Sequence, residues 1–228
     1  ANKIGSECFR LWKACDAQVG DDFHINPEEI ESKYFGVLTK LFNVARFASQ
    51  FDTPEDLETV PENLPVEDRW ILAEFAATMD TVENAWKGLD IYTATQALKT
   101  FGTGILPSHW LEMAKSRLYD GDKNAAWTVH RIVRDLMSGL SPVCPFCTHH
   151  ISSTLYEESA VDVRDFPSRT PGDTSLCALT PSIENFNSET WKTKKENSIS
   201  LNAPISGLHV PEELSEFAEI LTRMHKLE

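Results

Sequence analysis

The sequence predicts an all-α helical bundle over residues 1–158, followed by a small α+β appendage over residues 159–228. Two observations predict this fold class. Apolar residues recur at three- and four-residue steps through most of the region before residue 158, which is the period of helices that bury one face. Helix-start signals built on proline recur in the same region, whereas alternating and proline-rich stretches follow it.

The first long helix is predicted over residues 27–50. Asn26 is a favourable N-cap residue, and Pro27 then stands at the first helical position, where its missing N–H costs nothing. The next helical period covers residues 66–88 and ends near a glycine.

Residues 91–119 are also helical in pattern, but Gly102, Gly104 and Pro107 interrupt them. Because proline and glycine break or bend helices, this stretch predicts two helices or one sharp kink. A broad apolar face predicts a further helix over residues 123–140, and prolines after it mark the break into another short helix.

The appendage is predicted to mix strands and helices. Residues 161–164 alternate like a short strand, and residues 199–210 contain strand-like pieces around a proline and a glycine. Helices are predicted from Thr180 to about Asn197 and again after Pro211.

Composition excludes several classes of protein. The chain has 228 residues, of which 41% are hydrophobic and 25% charged, as in soluble globular proteins, and no stretch approaches the ~18 apolar residues of a membrane-spanning helix. The first residues lack the basic-then-apolar order of a secretory signal, and five unevenly spaced cysteines do not suggest a disulfide framework. We therefore expect a cytoplasmic location and no membrane partner.

The net charge of −14 argues against nonspecific coating of nucleic acid. Much of the acidity is concentrated in residues 51–100, which carry 3 basic and 11 acidic groups. A neutral-to-basic face elsewhere in the chain is therefore compatible with binding to an RNA backbone.

The strongest candidate metal motif is the pair Cys144 and Cys147, followed by His149 and His150. Structural zinc needs four ligands, usually from two such pairs, and the other cysteines offer no second pair at short spacing. We interpret the pair as buried packing residues and predict no metal site. The sequence also lacks a nucleophile-elbow turn and a phosphate-binding loop, so we predict no catalytic residue.

Five polar residues on two helices are candidates for contact with RNA. Lys40, Asn43 and Arg46 lie on the first long helix, and Arg131 and Arg134 lie on the helix over residues 123–140. From their spacing alone, a solvated helix face is the simpler explanation.

Several segments in one order resemble the C-terminal part of class I aminoacyl-tRNA synthetases, most closely archaeal-type valyl-tRNA synthetases. The clearest is TKLFNVARF at residues 39–47, which is similar to the family pattern T-K-L-W-N-A-S-R-F. The other matching segments are CFRLWKA at 8–14, GDDF at 20–23, EDRWIL at 67–72, EMAKSRLY at 112–119, LSPVCPF at 140–146 and the tail at 187–201.

The resemblance implies a helical module that binds the anticodon end of tRNA within a valine–tRNA ligase. Lys40, Arg46, Arg131 and Arg134 would contact phosphates, and hydrogen bonds to splayed anticodon bases, with Asn43 as a candidate, would supply specificity. Expected partners are tRNA, with tRNA-Val as the first choice, and the remainder of the synthetase chain. No cofactor is expected here, because ATP and Mg²⁺ would serve the parent enzyme, whose HIGH and KMSKS signatures are absent from this sequence.

Two alternatives stay open. One is an anticodon module of an isoleucyl- or leucyl-tRNA synthetase, which would share the same architecture. The other is a stand-alone helical interaction or zinc-binding protein whose similarity extends only to a bundle of helices.

Overall fold

The computed structural model describes residues 4–16, 20, 22, 25–157, 166–167 and 173–228, and within them it confirms the helical bundle. The α-helices of this described part are α1 (Ser6–Cys15), α2 (Pro27–Ala48), α3 (Val66–Lys87), α4 (Ile91–Thr100), α5 (Leu111–Tyr119), α6 (Lys123–Leu140), α7 (Pro145–Leu155), α8 (Thr180–Glu196) and α9 (Ala218–His225). A π-helical segment (Phe101–Trp110) joins α4 to α5, and 3-10 helices at Thr174–Leu179 and Glu212–Phe217 precede α8 and α9. No helix in these ranges has the length and apolarity needed to cross a membrane.

Helix α2 forms as its start signal predicts. The Asn26 side chain accepts a hydrogen bond of 3.2 Å from the Glu28 N–H, and Pro27 occupies the first turn. The buried face of α2 includes Leu41, Val44, Ala45 and Ala48, which leaves the intervening polar residues on the outside. The predicted bounds of α2, α3 and α6 agree with the structure to within about two residues.

The stretch from Ile91 to Tyr119 is continuous, whereas the sequence predicted two helices or a kink. The chain widens into a π-helix instead of breaking, and the Leu111 N–H donates to the Leu106 carbonyl five residues earlier. Pro107 lies inside this wide segment, where one backbone donor is missing.

Gly102 allows the π-helical segment to pack closely against two neighbouring helices. A methyl group added at its Cα would lie 2.8 Å from Leu41 Cδ2 on α2 and 3.0 Å from Leu136 Cδ2 on α6. The absence of a side chain at Gly102 therefore allows the π-helical segment to approach α2 and α6 more closely than any larger residue would.

The strands predicted in residues 199–210 are not observed, so the α+β description of the appendage is wrong for this segment. Its β-structure is one isolated bridge between Ile205 and Leu227. The buried ammonium group of Lys194 donates instead to the carbonyl groups of Leu201, Ala203 and His225, at 2.7–2.9 Å. The carbonyl groups of Leu201 and Ala203, which a strand would use as hydrogen-bond acceptors for a neighbouring strand, thus accept from a side chain instead. The strand predicted at residues 161–164 lies outside the described residues.

The C-terminal helices share their hydrophobic core with the bundle. The indole N–H of Trp70 on α3 donates to Thr180 Oγ1 at 2.8 Å, and the same ring packs edge-to-face on Phe217. Buried residues of α8 and α9, such as Ile183 and Leu221, belong to the same apolar cluster as those of α3 and α6. The predicted domain boundary after residue 158 falls outside the described residues and stays a prediction.

Candidate nucleic-acid interface

Helix α2 presents Lys40 and Asn43 on its exposed side. The two residues are three positions apart and therefore lie on the same helix face. They line a groove of about 320 Å³ between α2 and the π-helical segment with α5, called here the α2–α5 groove. Its lining is completed by Val44, Phe47, Thr103, Pro107, Ser108, Leu111, Glu112 and Lys115.

Arg46 lies on the other side of the exposed ridge of α2. It lines a second groove of about 330 Å³, the α2–α7 groove, with Phe42, Ser49, His150, Thr154 and neighbouring apolar residues. The Phe42 and His150 rings are nearly parallel, with an interplanar angle of 5° and centroids 6.3 Å apart. The structure thus places Lys40 and Asn43 along one groove and Arg46 along the other.

The charges of Lys40 and Arg46 are available for a ligand. Neither side chain has an ion pair or hydrogen bond to another residue in the part of the chain that the structure describes. Lys115, across the α2–α5 groove, differs because its ammonium group lies 3.3 Å from Glu112. A phosphate could therefore bind Lys40 or Arg46 without displacing a carboxylate, whereas at Lys115 it would compete with Glu112.

Arg131 and Arg134 have internal roles, which corrects their prediction as phosphate contacts. Arg131 is 2% exposed and Arg134 is 8% exposed. Arg131 binds Asp135 at 2.6 Å and the Leu57 carbonyl at 2.7 Å, and Arg134 binds Glu58 at 2.6 Å. Both guanidinium groups hold the loop before α3 against α6, so they are not free to face RNA.

The sequence reasoning missed an aromatic cluster at the end of the α2–α5 groove. Tyr119, the last residue of α5, contacts Phe51 and Phe47 edge-to-face, with ring centroids 5.6 and 6.2 Å apart. Phe47 also lines the α2–α5 groove, so the cluster extends that surface past the end of α2. The sequence carried a signal for this cluster, because an aromatic residue, Tyr119, stands at the end of a predicted helix, two residues before Gly121.

The two cysteines of the CxxC motif lie at the start of α7. Cys144 is the N-cap residue and is buried, and burial raises the pKa of both thiols, that of Cys147 to about 11. A protonated thiol is a poor metal ligand. Within the described ranges, no group of three or more His, Cys, Asp or Glu side chains is arranged to hold a metal ion.

Comparisons with known proteins identify relatives of this chain. The family model described as the anticodon-binding domain of tRNA ligase matches residues 68–210. The valine–tRNA ligase of Saccharolobus solfataricus is 31% identical over 208 residues, covering 90% of this chain and 24% of that protein. The enzymes of the same name from Pyrobaculum aerophilum and Aeropyrum pernix are 31% and 29% identical over 238 residues, covering 99% and 98% of this chain and 29% and 28% of those proteins.

The chain spans about a quarter of the length of these relatives. The family match covers more than half of the chain and includes α3 to α8, which carry one wall of the α2–α5 groove. The chain therefore belongs to the anticodon-binding domain family of tRNA ligases.

Proposed function

We propose that this chain is the anticodon-binding part of a valine–tRNA ligase and that it binds tRNA-Val through the exposed side of α2. The observation that carries the proposal is a pair of cations, Lys40 and Arg46, that have no side-chain partner among the described residues and lie beside open grooves on the two sides of one exposed helix ridge. The names of the relatives reported above support valine as the amino acid.

Each residue on α2 has a separate part in this interface. Lys40 and Arg46 bind phosphates on either side of the ridge and so position the RNA backbone, which carries no sequence information by itself. Asn43 lies between them, and its amide can both donate to and accept from the edge of an unpaired base. The net charge of −14 opposes long-range approach, so binding depends on these local contacts.

Aminoacylation is assigned to the remainder of the synthetase chain, together with its ATP, Mg²⁺ and valine. The sequence of this chain lacks the HIGH and KMSKS signatures of class I adenylate chemistry. On its own, the chain is expected to bind tRNA without valine-dependent exchange of pyrophosphate into ATP. We place the protein in the cytoplasm, where tRNA charging for translation takes place.

The proposal is tested by tRNA-Val binding at several salt concentrations. Each phosphate contact releases counterions and makes affinity fall more steeply with salt. Lys40→Ala and Arg46→Ala should therefore each reduce the magnitude of the negative slope of log affinity against log salt by about one unit. Lys195→Ala removes another exposed charge, on α8, that has no side-chain partner in the described ranges, and it serves as the matched control because Lys195 lines none of the cavities described. An unchanged slope in both α2 variants, with folding intact, would show that α2 does not face the RNA.

The alternatives are separated by two further measurements. Binding to transcripts with valine, isoleucine and leucine anticodons distinguishes the valine module from its isoleucyl or leucyl counterparts. Membership in the family shows that the similarity extends beyond a general helical bundle. Stoichiometric zinc by elemental analysis, lost together with folding on chelation, would favour the zinc-binding alternative.

A further inference from the structure

A third cavity, of about 940 Å³, lies between the loop after α2 and the turn that joins α5 to α6. We call it the Tyr119 cleft. Its aromatic wall is formed by Phe51, Tyr119 and Trp127, and it adjoins the α2–α5 groove through the contact between Phe47 and Tyr119. Its volume falls in the range of small-molecule sites, ~300–1,000 Å³.

Tyr119 offers a stacking surface in this cleft. Its side chain is 61% exposed even though it touches two phenylalanine rings. An exposed ring at the mouth of a cavity is accessible to a ligand, and nucleobases stack on such rings in proteins that bind single-stranded RNA.

Most polar groups of the cleft fit the edge of a base better than a phosphate; the exception is the exposed Lys123 on its rim. Asp52 and Glu55 line it with carboxylates that have no partner in the described part of the chain, and Gln50 and Asn124 add side-chain amides that are free in the same sense. Carboxylates repel phosphate oxygens but accept hydrogen bonds from exocyclic amino groups of bases, and amides pair with base edges in two directions.

The wall that carries these groups is held in place by internal bonds. The indole N–H of Trp127 donates to the Asp56 carbonyl at 3.0 Å, and the Asp56 carboxylate accepts from the backbone N–H groups of Glu58 and Thr59. Arg131 holds the same loop through the Leu57 carbonyl. A wall that is already ordered lowers the entropic cost of binding a ligand.

We propose that the Tyr119 cleft binds one unpaired nucleobase that carries an exocyclic amino group, stacked on Tyr119 and hydrogen-bonded by Asp52 or Glu55. This inference rests on the proposed tRNA-binding function and adds a base-specific site to it. The RNA backbone would follow the α2–α5 groove past Lys40, and the base would leave the stack where Phe47 meets Tyr119.

The stacking step is tested with the whole chain and a tRNA-Val transcript. Tyr119→Ala should weaken binding by about 5- to 150-fold without changing the salt slope, because it removes a base contact and no phosphate contact. Tyr119→Phe should retain the affinity. Phe146→Ala is the control, because Phe146 is also an exposed aromatic residue but lies on α7 outside the cleft.

The hydrogen-bonding step is tested with altered RNA. Each anticodon-loop base that carries an exocyclic amino group is replaced in turn by uracil or hypoxanthine, which lack it. At one position the replacement should weaken binding by the wild type but not by the double variant Asp52→Ala, Glu55→Ala, which has no acceptor left at either position.

The outcomes separate this inference from the proposed function. If Lys40→Ala weakens binding while folded Tyr119→Ala binds normally, the cleft is not a base site although the chain binds tRNA. If no base replacement weakens binding by the wild type more than binding by the Asp52 and Glu55 double variant, the proposed recognition of the amino group is wrong. If the wild-type chain does not bind tRNA at all, both proposals fail.

Discussion

Arg46 and Arg131 carry the same guanidinium group in opposite environments. Arg46 lies at the surface of α2 beside an open groove, whereas Arg131 is enclosed between α6 and the loop before α3. A charge that is buried costs free energy unless it is paired, and Asp135 supplies the partner for Arg131. The first arginine is therefore suited to binding a ligand, and the second to holding a loop.

Arg131→Ala is expected to lower the free energy of unfolding by about 3 kcal/mol, because the buried Asp135 carboxylate loses its shortest ion pair and keeps the longer one to Arg134 at 3.4 Å. Arg46→Ala should change the same quantity by less than about 0.5 kcal/mol, since it removes an exposed side chain that has no partner in the part of the chain that the structure describes. Urea unfolding of both variants measures the difference. Equal stability of the two variants would contradict the internal role of Arg131.

The sequence could predict which α2 residues are exposed but not the fate of the α6 arginines. The 3.6-residue period of apolar residues places Lys40 and Asn43 on the outer side of α2, as observed. On α6 the four-residue spacing of Arg131 and Asp135 is typical of an ion pair along one helix. Their enclosure depends on the distant Leu57 and Glu58, and no helical period within α6 can indicate that contact.

At the scale of the element, the continuous run from α4 through the π-helical segment to α5 builds the wall opposite α2. The sequence located the irregularity, since Gly102, Gly104 and Pro107 all fall inside the π-helical segment. It could not decide between a break and a widened helix, because that choice depends on packing against Leu41 and Leu136 from other helices.

The two glycines of this segment give a matched pair of substitutions. Gly102→Ala should destabilise the fold by about 1–3 kcal/mol, because its methyl group would overlap two buried leucine side chains. Gly104→Ala meets nothing within 4 Å and should be neutral or stabilising, since alanine favours helical backbone. Thermal unfolding compares them. A Gly102→Ala variant as stable as Gly104→Ala would show that the close approach to α2 and α6 is not required.

The C-terminal helices are joined to the π-helical segment by a buried polar network. The Asn187 amide on α8 bonds to His109 at 3.0 Å and to His225 at 2.8 Å. Burial lowers the pKa of His225 to about 4, and the nearby charge of Lys194 acts in the same direction. The network therefore contains a neutral histidine at physiological pH.

This network makes stability depend on pH. The unfolded chain takes up a proton on His225 near pH 6.5, whereas the folded chain resists it until about pH 4. The histidine thus contributes stability above pH 6.5 that is lost as the pH falls toward 4, by about 3 kcal/mol in total. His225→Gln keeps an amide donor and cannot titrate, so it should lose less stability over this window. Identical losses for variant and wild type would exclude His225 as a cause.

At the scale of the whole molecule, α3 to α6 and the C-terminal helices share one apolar core, whereas α1 and the first half of α2 pack in a second cluster within the described residues. Trp70 bonds to Thr180 and packs on Phe217, so a central side chain of α3 depends on the C-terminal segment for its burial. A change of composition along the sequence predicted an appendage. Composition reports what a segment contains, however, and does not show which buried surface it covers.

The bundle helices that share this core and the C-terminal helices are therefore expected to unfold in one transition. Opening α8 would expose Trp70 and leave Asn187 and His109 without their partners, so the free energy of opening α8 should approach that of the entire fold. Amide hydrogen exchange at increasing urea compares α8 with α6. The protection of both helices should fall with the same urea dependence and converge on the same unfolding free energy. If α8 exchanges through an opening of much lower free energy while α6 stays protected, the C-terminal segment is a separate unit, as the sequence composition first suggested.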